Sequence, residues 1–521
     1  MKPKFWVSIA GAILLAGCNA GPNYVRPGLT MAGSYSRLPA SPAEQGAAAR
    51  TINAAGSPPV SDLAHWWEAM HDPELNSLLS RAVAGNLDVQ VAIDRLQQSR
   101  AILAEFGGRE LPDFYGSGVA GRGTGNNLGR GGAVDGALAQ SVNTSGLKAV
   151  NQVLGIDTDF ELDLFGDLRR TVQAVAADAA AAAEFRNQVV VTLLGDVART
   201  YVEIRTLQLR VSIAEQAIAV QRQAADVEHQ RYQRGITNEL DSALADREVE
   251  TTEAGLAPLQ AGLIVAKRNL AVLLGEAPDA LFSELAAGAP LPRPPAEIDT
   301  GLPVDLLRRR PDVRQAEAQL VAANALLGVA TARLYPRIFL MAAAGFQAQG
   351  FNQDPHLSRG IWSVAPAFNW PLLDFGTVDA TIQAQNQATR AQAANFRKVV
   401  LTAIADVDNH LTNYDAERRR LVSLGRAVSD GQRALDLATK RYNRGIIDYL
   451  NVLDAQRTLI ALQDQQAVSE DFAVSDFVTV CQSLGGGWEG FAPPPPLKRP
   501  LPALLATIRD LTGNSDHPLA K

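Results

Sequence analysis

The sequence predicts an α+β membrane chain, in which four β-strands and two long helical hairpins arise from one internal duplication. Three observations predict it. The first is self-similarity. Arg231-Tyr232-Gln233-Arg234-Gly235-Ile236 returns as Arg441-Tyr442-Asn443-Arg444-Gly445-Ile446, an offset of 210 residues (441 − 231). Phe165-Gly166 returns as Phe375-Gly376 at the same offset, whereas Pro112 returns as Pro336 at an offset of 224 (336 − 112). One unit is therefore written twice, with 14 extra residues (224 − 210) in the first copy between Pro112 and Phe165. Repetition over so long a period fixes architecture before any local reading. The second observation is an apolar stripe of period seven, Val190, Val197, Ile204, Val211 and Ile218, echoed by Val400, Val407, Tyr414, Leu421 and Val428. The third is a change of period to two just upstream of each stripe.

Taken in order, the chain opens with Lys2 and Lys4, an apolar run over 5–16, and Leu15-Ala16-Gly17-Cys18. The plain reading is a secretory leader. The sharper one is a lipoprotein signal over 1–17, cut before Cys18, whose sulfur receives lipid. More than one acyl chain makes such an anchor stable. Residues 18–73 form an N-terminal extended segment, rich in Ala, Ser, Gly and Pro between 28 and 60.

The first repeat spans 74–275. It begins with a helix over about 74–109 that stops before Pro112. A β-hairpin follows over 113–162. In its second strand Leu154, Ile156, Phe160 and Leu162 face one way, and Asp157, Asp159 and Glu161 the other. Then comes a helix from Gly166 to Arg234, rich in alanine and free of proline. Its heptad stripe asks for a coiled-coil neighbour, and at 1.5 Å per residue it spans ~100 Å. Gly235 sits where a helix takes its C-terminal glycine. A return helix runs over about 236–275, so the tip of the hairpin lies near 235.

A connector over 276–302 carries Pro278, Pro290, Pro292, Pro294 and Pro295. The second repeat, 303–490, repeats the plan. It has a helix over about 303–334, a β-hairpin over 337–371, a long helix over 376–444, a tip near Gly445 and a return helix over about 446–484. Its last strand alternates Trp362, Val364, Phe368 and Trp370 with Ser363, Ala365, Ala367 and Asn369. A tail over 491–521 starts with four prolines, Pro493 to Pro496.

Apolar-out, polar-in strands of about ten residues mark a transmembrane β-barrel, and single-chain barrels start at eight strands. An open sheet of four would leave edge amides unpaired in lipid, at several kcal/mol each. The chain must therefore assemble with copies of itself, and its hairpins then close into a helical tube on the same axis. Such a tube is a duct, not a catalytic pocket.

Composition agrees. A net charge of −7 argues against a nucleic-acid partner. The six histidines are scattered, with none at metal-ligand spacing and no His-Glu-x-x-His. The glycine-rich stretch over 123–150 has no P-loop lysine in register and reads as an extracellular loop. Cys481 is the only cysteine besides Cys18, so no structural disulfide is expected. Four methionines give no case for metal export. No enzyme, no cofactor other than the covalent lipid, and no metal site are predicted.

Several motifs occur in a telling order: Trp66-Trp67 with Asp72-Pro73, Asn86-Leu87-Asp88, Gly155-Ile156-Asp157, Glu161-Leu162-Asp163-Leu164-Phe165-Gly166, Leu306-Leu307-Arg308-Arg309-Arg310-Pro311-Asp312 and Gly485-Gly486-Gly487-Trp488. Over roughly 18–490 the chain resembles the TolC-type outer membrane efflux proteins, in particular the lipid-anchored NodT/OprM-like branch. The resemblance implies a homotrimer with twelve strands in one shared outer-membrane barrel of a Gram-negative bacterium. It implies a periplasmic α-helical barrel docking onto an adaptor protein and an inner-membrane pump of the RND type. Asn19, rather than Asp, after Cys18 implies sorting to the outer membrane by likeness to bacterial lipoproteins. The function implied is the exit duct of a tripartite efflux pump, with drugs or other small toxic compounds as cargo. A protein-secretion (type I) duct and a non-conducting envelope strut are the alternatives. The tips, Arg231, Tyr232 and Gly235 with Arg441, Tyr442 and Gly445, are the candidate adaptor-docking residues. Leu450 and Asp454, four apart on one helix face, match the residues that constrict the periplasmic end. Their counterparts in the first repeat are Leu240 and Leu244.

Overall fold

A computed structural model describes residues 19–28, 63–122, 150–295, 306–349 and 359–495. Cys18, the glycine-rich loop over 123–149, most of the N-terminal extended segment and most of the tail lie outside the described residues. The first repeat opens with a 3-10 turn at Trp66–Met70, followed by helices α1 (Pro73–Gly85) and α2 (Leu87–Gly108). Strands β1 (Tyr115–Arg122) and β2 (Val150–Leu162) come next, then α3 (Asp167–Gln233) and α4 (Glu239–Leu273). The second repeat contains α5 (Leu306–Arg309), α6 (Pro311–Ala332), β3 (Arg337–Gln349), β4 (Arg359–Asn369), α7 (Thr377–Asn443) and α8 (Tyr449–Ser483).

The helical bounds put the copies in register residue for residue. From α2 to α6 the offset is 224 at both ends (311 − 87, 332 − 108). From α3 to α7 it is 210 (377 − 167, 443 − 233), and so it is from α4 to α8 (449 − 239, 483 − 273).

The leading helix of each repeat differs from its sequence expectation. Instead of one helix over about 74–109 there are two, parted at Asn86, whose backbone is extended at ψ 130°. Its side chain accepts from the Val89 N–H at 3.0 Å and donates to the Leu273 carbonyl at 2.9 Å. Asparagine satisfies a free helix-end donor better as a cap than from mid-helix. In the second repeat Arg310 makes the same break, at φ −68°, ψ 120°. Pro311 behind it excludes the helical region for Arg310 and is itself well placed as a first helical residue. The return helices start three residues later than expected, at Glu239 and Tyr449, because the tip turns occupy 236–238 and 446–448. Pro258 lies inside α4 without ending it.

The strands form one antiparallel meander in the order β1-β2-β3-β4. Register places Leu154 opposite Phe346, Ile156 opposite Ala344, and Ala344 opposite Trp362. Facing residues of an antiparallel pair share a side. One side thus carries Leu154, Ile156, Phe346, Trp362, Val364 and Phe368, all exposed. The other holds Asp157, which accepts from Ser117, and Glu161, paired to Arg337 through Nε at 2.9 Å. The outer edges of β1 and β4 have no partner strand among the described residues.

The dense core lies where the leading helices meet the bases of the long hairpins. Leu75, Leu78, Leu79, Leu194, Val197, Tyr201, Ile204, Leu270, Phe396 and Val407 are fully buried there. The stripe residues Val190, Val197, Ile204, Val400, Val407 and Tyr414 are all in this core. Tyr201 donates to Asp72 at 2.8 Å, and the same carboxylate caps α1 through the Glu74 and Leu75 N–H groups. The sequence motifs converge here. Trp66 meets Phe477 edge-on with ring centroids 6.1 Å apart, and Trp488 donates to the Arg309 carbonyl at 3.2 Å. Gly487, at φ +103°, sits against Leu194 and Trp66: a Cβ there would lie 2.9 Å from the first and 3.0 Å from the second. Arg310 pairs with Asp312 at 2.7 Å and donates to the Ser483 carbonyl, fixing the second repeat onto the end of α8.

The N-terminal segment crosses the junction of sheet and helices. Ala20 N–H donates to the Phe165 carbonyl at 2.9 Å. Arg170 donates to the Ala20 and Gly21 carbonyls and to Asn23, and Asn324 to the Pro22 carbonyl. Tyr24 and Arg26 both reach Glu317 on α6. Asn19 lies against Gly166, where β2 gives way to α3.

Candidate functional site

At the far end, about 100 Å from the sheet by the length of α3, both hairpins turn in the same way. The Gly235 N–H donates to the Tyr232 carbonyl at 2.8 Å and the Ile236 N–H to the Arg231 carbonyl at 2.9 Å. In the second copy Gly445 donates to Tyr442 at 2.8 Å and Ile446 to Arg441 at 3.1 Å. This is a Schellman ending, which needs a left-handed residue after the helix. Both glycines supply it, at φ +70°. A Cβ at either would meet nothing within 4 Å, so the turns face open space. Asn238 then caps α4 by accepting from the Asp241 N–H at 2.9 Å, whereas Asp448 makes no such side-chain bond.

The two tips are joined to each other. Ala225 and Ala245 of the first hairpin pack with Tyr449, Val452 and Leu453 of the second. Tyr442 donates to Glu228 Oε1 at 2.5 Å, and the Arg231 guanidinium sits 4.8 Å over the Tyr442 ring. Glu228 is 1 % exposed. Its Oε1 also faces Arg231 at 3.7 Å. Arg457 reaches Glu248 at 3.1 Å. Burial, and then the bond to Glu228, hold the Tyr442 hydroxyl well above its ordinary pKa. Burial, with the Glu228, Glu248 and Asp241 carboxylates nearby, pushes Tyr449 up to about 12. Both phenols therefore stay protonated at any physiological pH, and Tyr442 remains a donor.

The candidate docking residues divide. Tyr232, Gly235, Arg441 and Gly445 are exposed, while Arg231 and Tyr442 are half-buried in the joint between hairpins. Leu450 and Asp454 are both exposed and lie one turn apart on α8. Leu240, the counterpart of Leu450, is exposed too, whereas Leu244, the counterpart of Asp454, packs into the apolar joint. Glu228 and the Glu248–Arg457 pair are contributions the sequence reading missed. The signal available was asymmetry between copies: Glu228 aligns with Ala438, and Tyr449 with Glu239. Among the described residues no group of His, Cys, Asp and Glu could hold a metal ion.

Known proteins resemble this chain along nearly all of it. The profile of the outer membrane efflux protein family matches residues 78–276 and 302–486. The chain belongs to that family. Among curated relatives, the pyoverdine export outer membrane protein OpmQ of Pseudomonas aeruginosa is 31% identical over 494 residues, covering 94% of this chain and 98% of the relative. Nodulation protein T of Rhizobium leguminosarum bv. trifolii is 28% identical over 490 residues, covering 92% and 97%. Among solved structures, the outer-membrane channel OprN superposes with a TM-score of 0.78 at 30% identity, covering 91% of this chain and all of that one. The fold is that of the TolC-type channels, of the NodT/OprM-like branch, and the family's place is the outer membrane. The efflux-family chain thus carries its tips at the end of the helices remote from the strands.

The joint between hairpins is testable by itself. Tyr442→Phe keeps the ring under Arg231 but removes the bond to buried Glu228. Hydrogen bonds to charged groups contribute roughly 1.5–3 kcal/mol. Amide hydrogen exchange over 225–233 and 438–449 should therefore speed up by tenfold or more, while exchange in the core around Tyr201 stays unchanged.

Proposed function

We propose that the chain is the exit duct of a tripartite efflux pump, assembled from three copies that share one twelve-stranded barrel. The observation that carries this reading is the sheet, whose apolar side is exposed in a single chain while its other side is polar. That polarity suits a barrel wall with lipid outside and water inside. The unpaired edges of β1 and β4 require closure with further copies. Relatives named as efflux pump outer membrane proteins support the transport role. The partners are a periplasmic adaptor and an inner-membrane pump of the RND type, and the cargo is small toxic compounds.

The helical hairpins extend through the periplasm, and Cys18 carries lipid. The placement of Asn19 beside Gly166, at the foot of the sheet, supports the anchor. Intact-mass measurement of the purified mature protein should give a chain starting at a lipidated Cys18. An unmodified Cys18, or cleavage elsewhere, refutes the anchor.

The tips are the docking surface for the adaptor. At Gly445 the backbone is left-handed and faces open space, so a side chain there is both strained and protruding. Gly445→Trp should abolish export while trimers still form and reach the membrane at normal level. Normal drug resistance in that variant would remove Gly445 from the docking surface.

Leu450 and Asp454 form the periplasmic gate, as an apolar ring and an acidic ring one helical turn (~5.4 Å) apart. Both side chains are exposed in the single chain, as residues lining an axis must be. A carboxylate ring attracts cations. In planar bilayers Leu450→Ala/Asp454→Ala should conduct several-fold more than the parent and show weaker cation preference. Unchanged conductance and selectivity would place the constriction elsewhere, and an absence of any conductance in the parent would overturn the duct itself.

A further inference from the structure

The connector between the repeats is pinned to the helices at two places. Gln208 and Arg205 of α3 donate to the Leu285 and Ala287 carbonyls at 2.8 and 2.9 Å. The Tyr414 hydroxyl, about halfway along α7, donates to the Pro295 carbonyl at 2.8 Å. Between the pins run Pro290, Leu291, Pro292, Arg293 and Pro294. Proline has no N–H to give and holds φ fixed, so such a stretch is stiff and gains little by settling onto a helix. A cavity of 870 Å³ lies between this arch and the helices. Ligand sites span roughly 300–1,000 Å³.

The lining of the cavity is of two kinds. Leu209 of α3, Leu291 of the arch, Leu421 of α7 and Val474 of α8 are apolar. Arg293 of the arch and Arg418 of α7 are cationic, and both residues are exposed. The Arg418 guanidinium lies 5.7 Å over the Tyr414 ring. Neither arginine has an ion pair among the described residues. Arginines close by are paired: Arg210 with Asp464 at 2.6 Å, and Arg420 with Glu417 at 3.4 Å. Among the described residues the cavity has one carboxylate, Glu470 of α8, which accepts from Gln466 at 3.0 Å rather than from an arginine.

We propose that this cavity binds a small amphipathic monoanion, its oxyanion head held by Arg293 and Arg418 and its apolar body lying against Leu209, Leu291, Leu421 and Val474. Two unpaired guanidiniums select negative charge, and their planar donor forks suit a carboxylate-like head. The leucine and valine walls favour a hydrocarbon body over a bare inorganic ion, because burying that body removes apolar surface from water. Glu470 opposes a second negative charge on the ligand. Burial pushes the Tyr414 hydroxyl up to about 12, so it stays protonated and keeps the arch pinned across the physiological range. The walls come from α3 of the first hairpin, from α7 and α8 of the second and from the connector. An occupant therefore touches both repeats at once. The site stands on these residues alone and does not depend on the transport reading.

The test uses the full-length protein in lipid nanodiscs. Ala289→Cys, on the arch and exposed, is coupled to a trifluoromethyl thiol label and followed by fluorine NMR. Cys481 is buried and does not compete, and the parent chain treated in the same way gives the background. Cinnamate is the probe, with cinnamyl alcohol and cinnamylamine as its neutral and cationic counterparts. Cinnamate should move the label's resonance saturably, and the other two should not. Arg293→Gln and Arg418→Gln, each added to the labelled chain, should weaken cinnamate binding roughly tenfold, as loss of a charge-assisted hydrogen bond entails. Glu470→Gln should tighten it. No saturable shift with cinnamate, or equal shifts with the alcohol or the amine, would overturn the site. So would arginine variants that titrate like the parent while migrating like it on native gels. Should Arg418→Gln fail to assemble, Arg293→Gln, whose side chain leaves an exposed arch, decides the matter. Unchanged or weaker binding in Glu470→Gln would overturn the restriction to a single charge.

Discussion

A backbone amide left unpaired in hydrocarbon costs several kcal/mol, and the rest of this structure answers to that cost. Among the described residues, four strands satisfy one another inside the meander and leave two open edges, on β1 and β4. The apolar side, from Leu154 to Trp362, is exposed and has no use in water. Everything below the sheet inherits its placement. The corners at Phe165 and Tyr335 lock together, and the N-terminal segment is tied across them by Arg170. Two hairpins therefore leave the membrane side by side in a fixed relation.

Packing is uneven along those hairpins. The base is a continuous apolar core in which Tyr201, Phe396 and their neighbours are fully buried. The joint at the tips is small, and its core residues include two alanines, Ala225 and Ala245. It also buries a polar atom at a loss: Oε2 of Glu228 has no hydrogen-bond partner among the described residues. Buried unpaired groups each cost roughly 1–3 kcal/mol. The apolar core shared by the tips is far smaller than the one at the base, and free energies of local opening follow such differences, so the tips separate more readily than the base.

Much of this was legible because the chain states its plan twice. The offsets of 210 and 224 locate the helical hairpins, and Gly235 and Gly445 mark their turns without any tertiary information. Period-two alternation identified the side of the sheet that bears Leu154 and Trp362. Local rules failed at Asn86, which reads as an ordinary residue within a helical stretch and acts as a cap. The return helix expected over about 236–275 does run through Pro258, which α4 carries at an exposed position. The joint between tips was not legible. Glu228 looks like any solvated glutamate until α7 brings Tyr442 against it, from 214 residues away in sequence.

The buried carboxylate at 228 has a mechanical consequence. Hairpins that look alike along their backbones are not held alike, since the second copy has alanine at the matching place. A pull on the second tip is therefore passed to the first within the same polypeptide, through one phenol leaning on one glutamate.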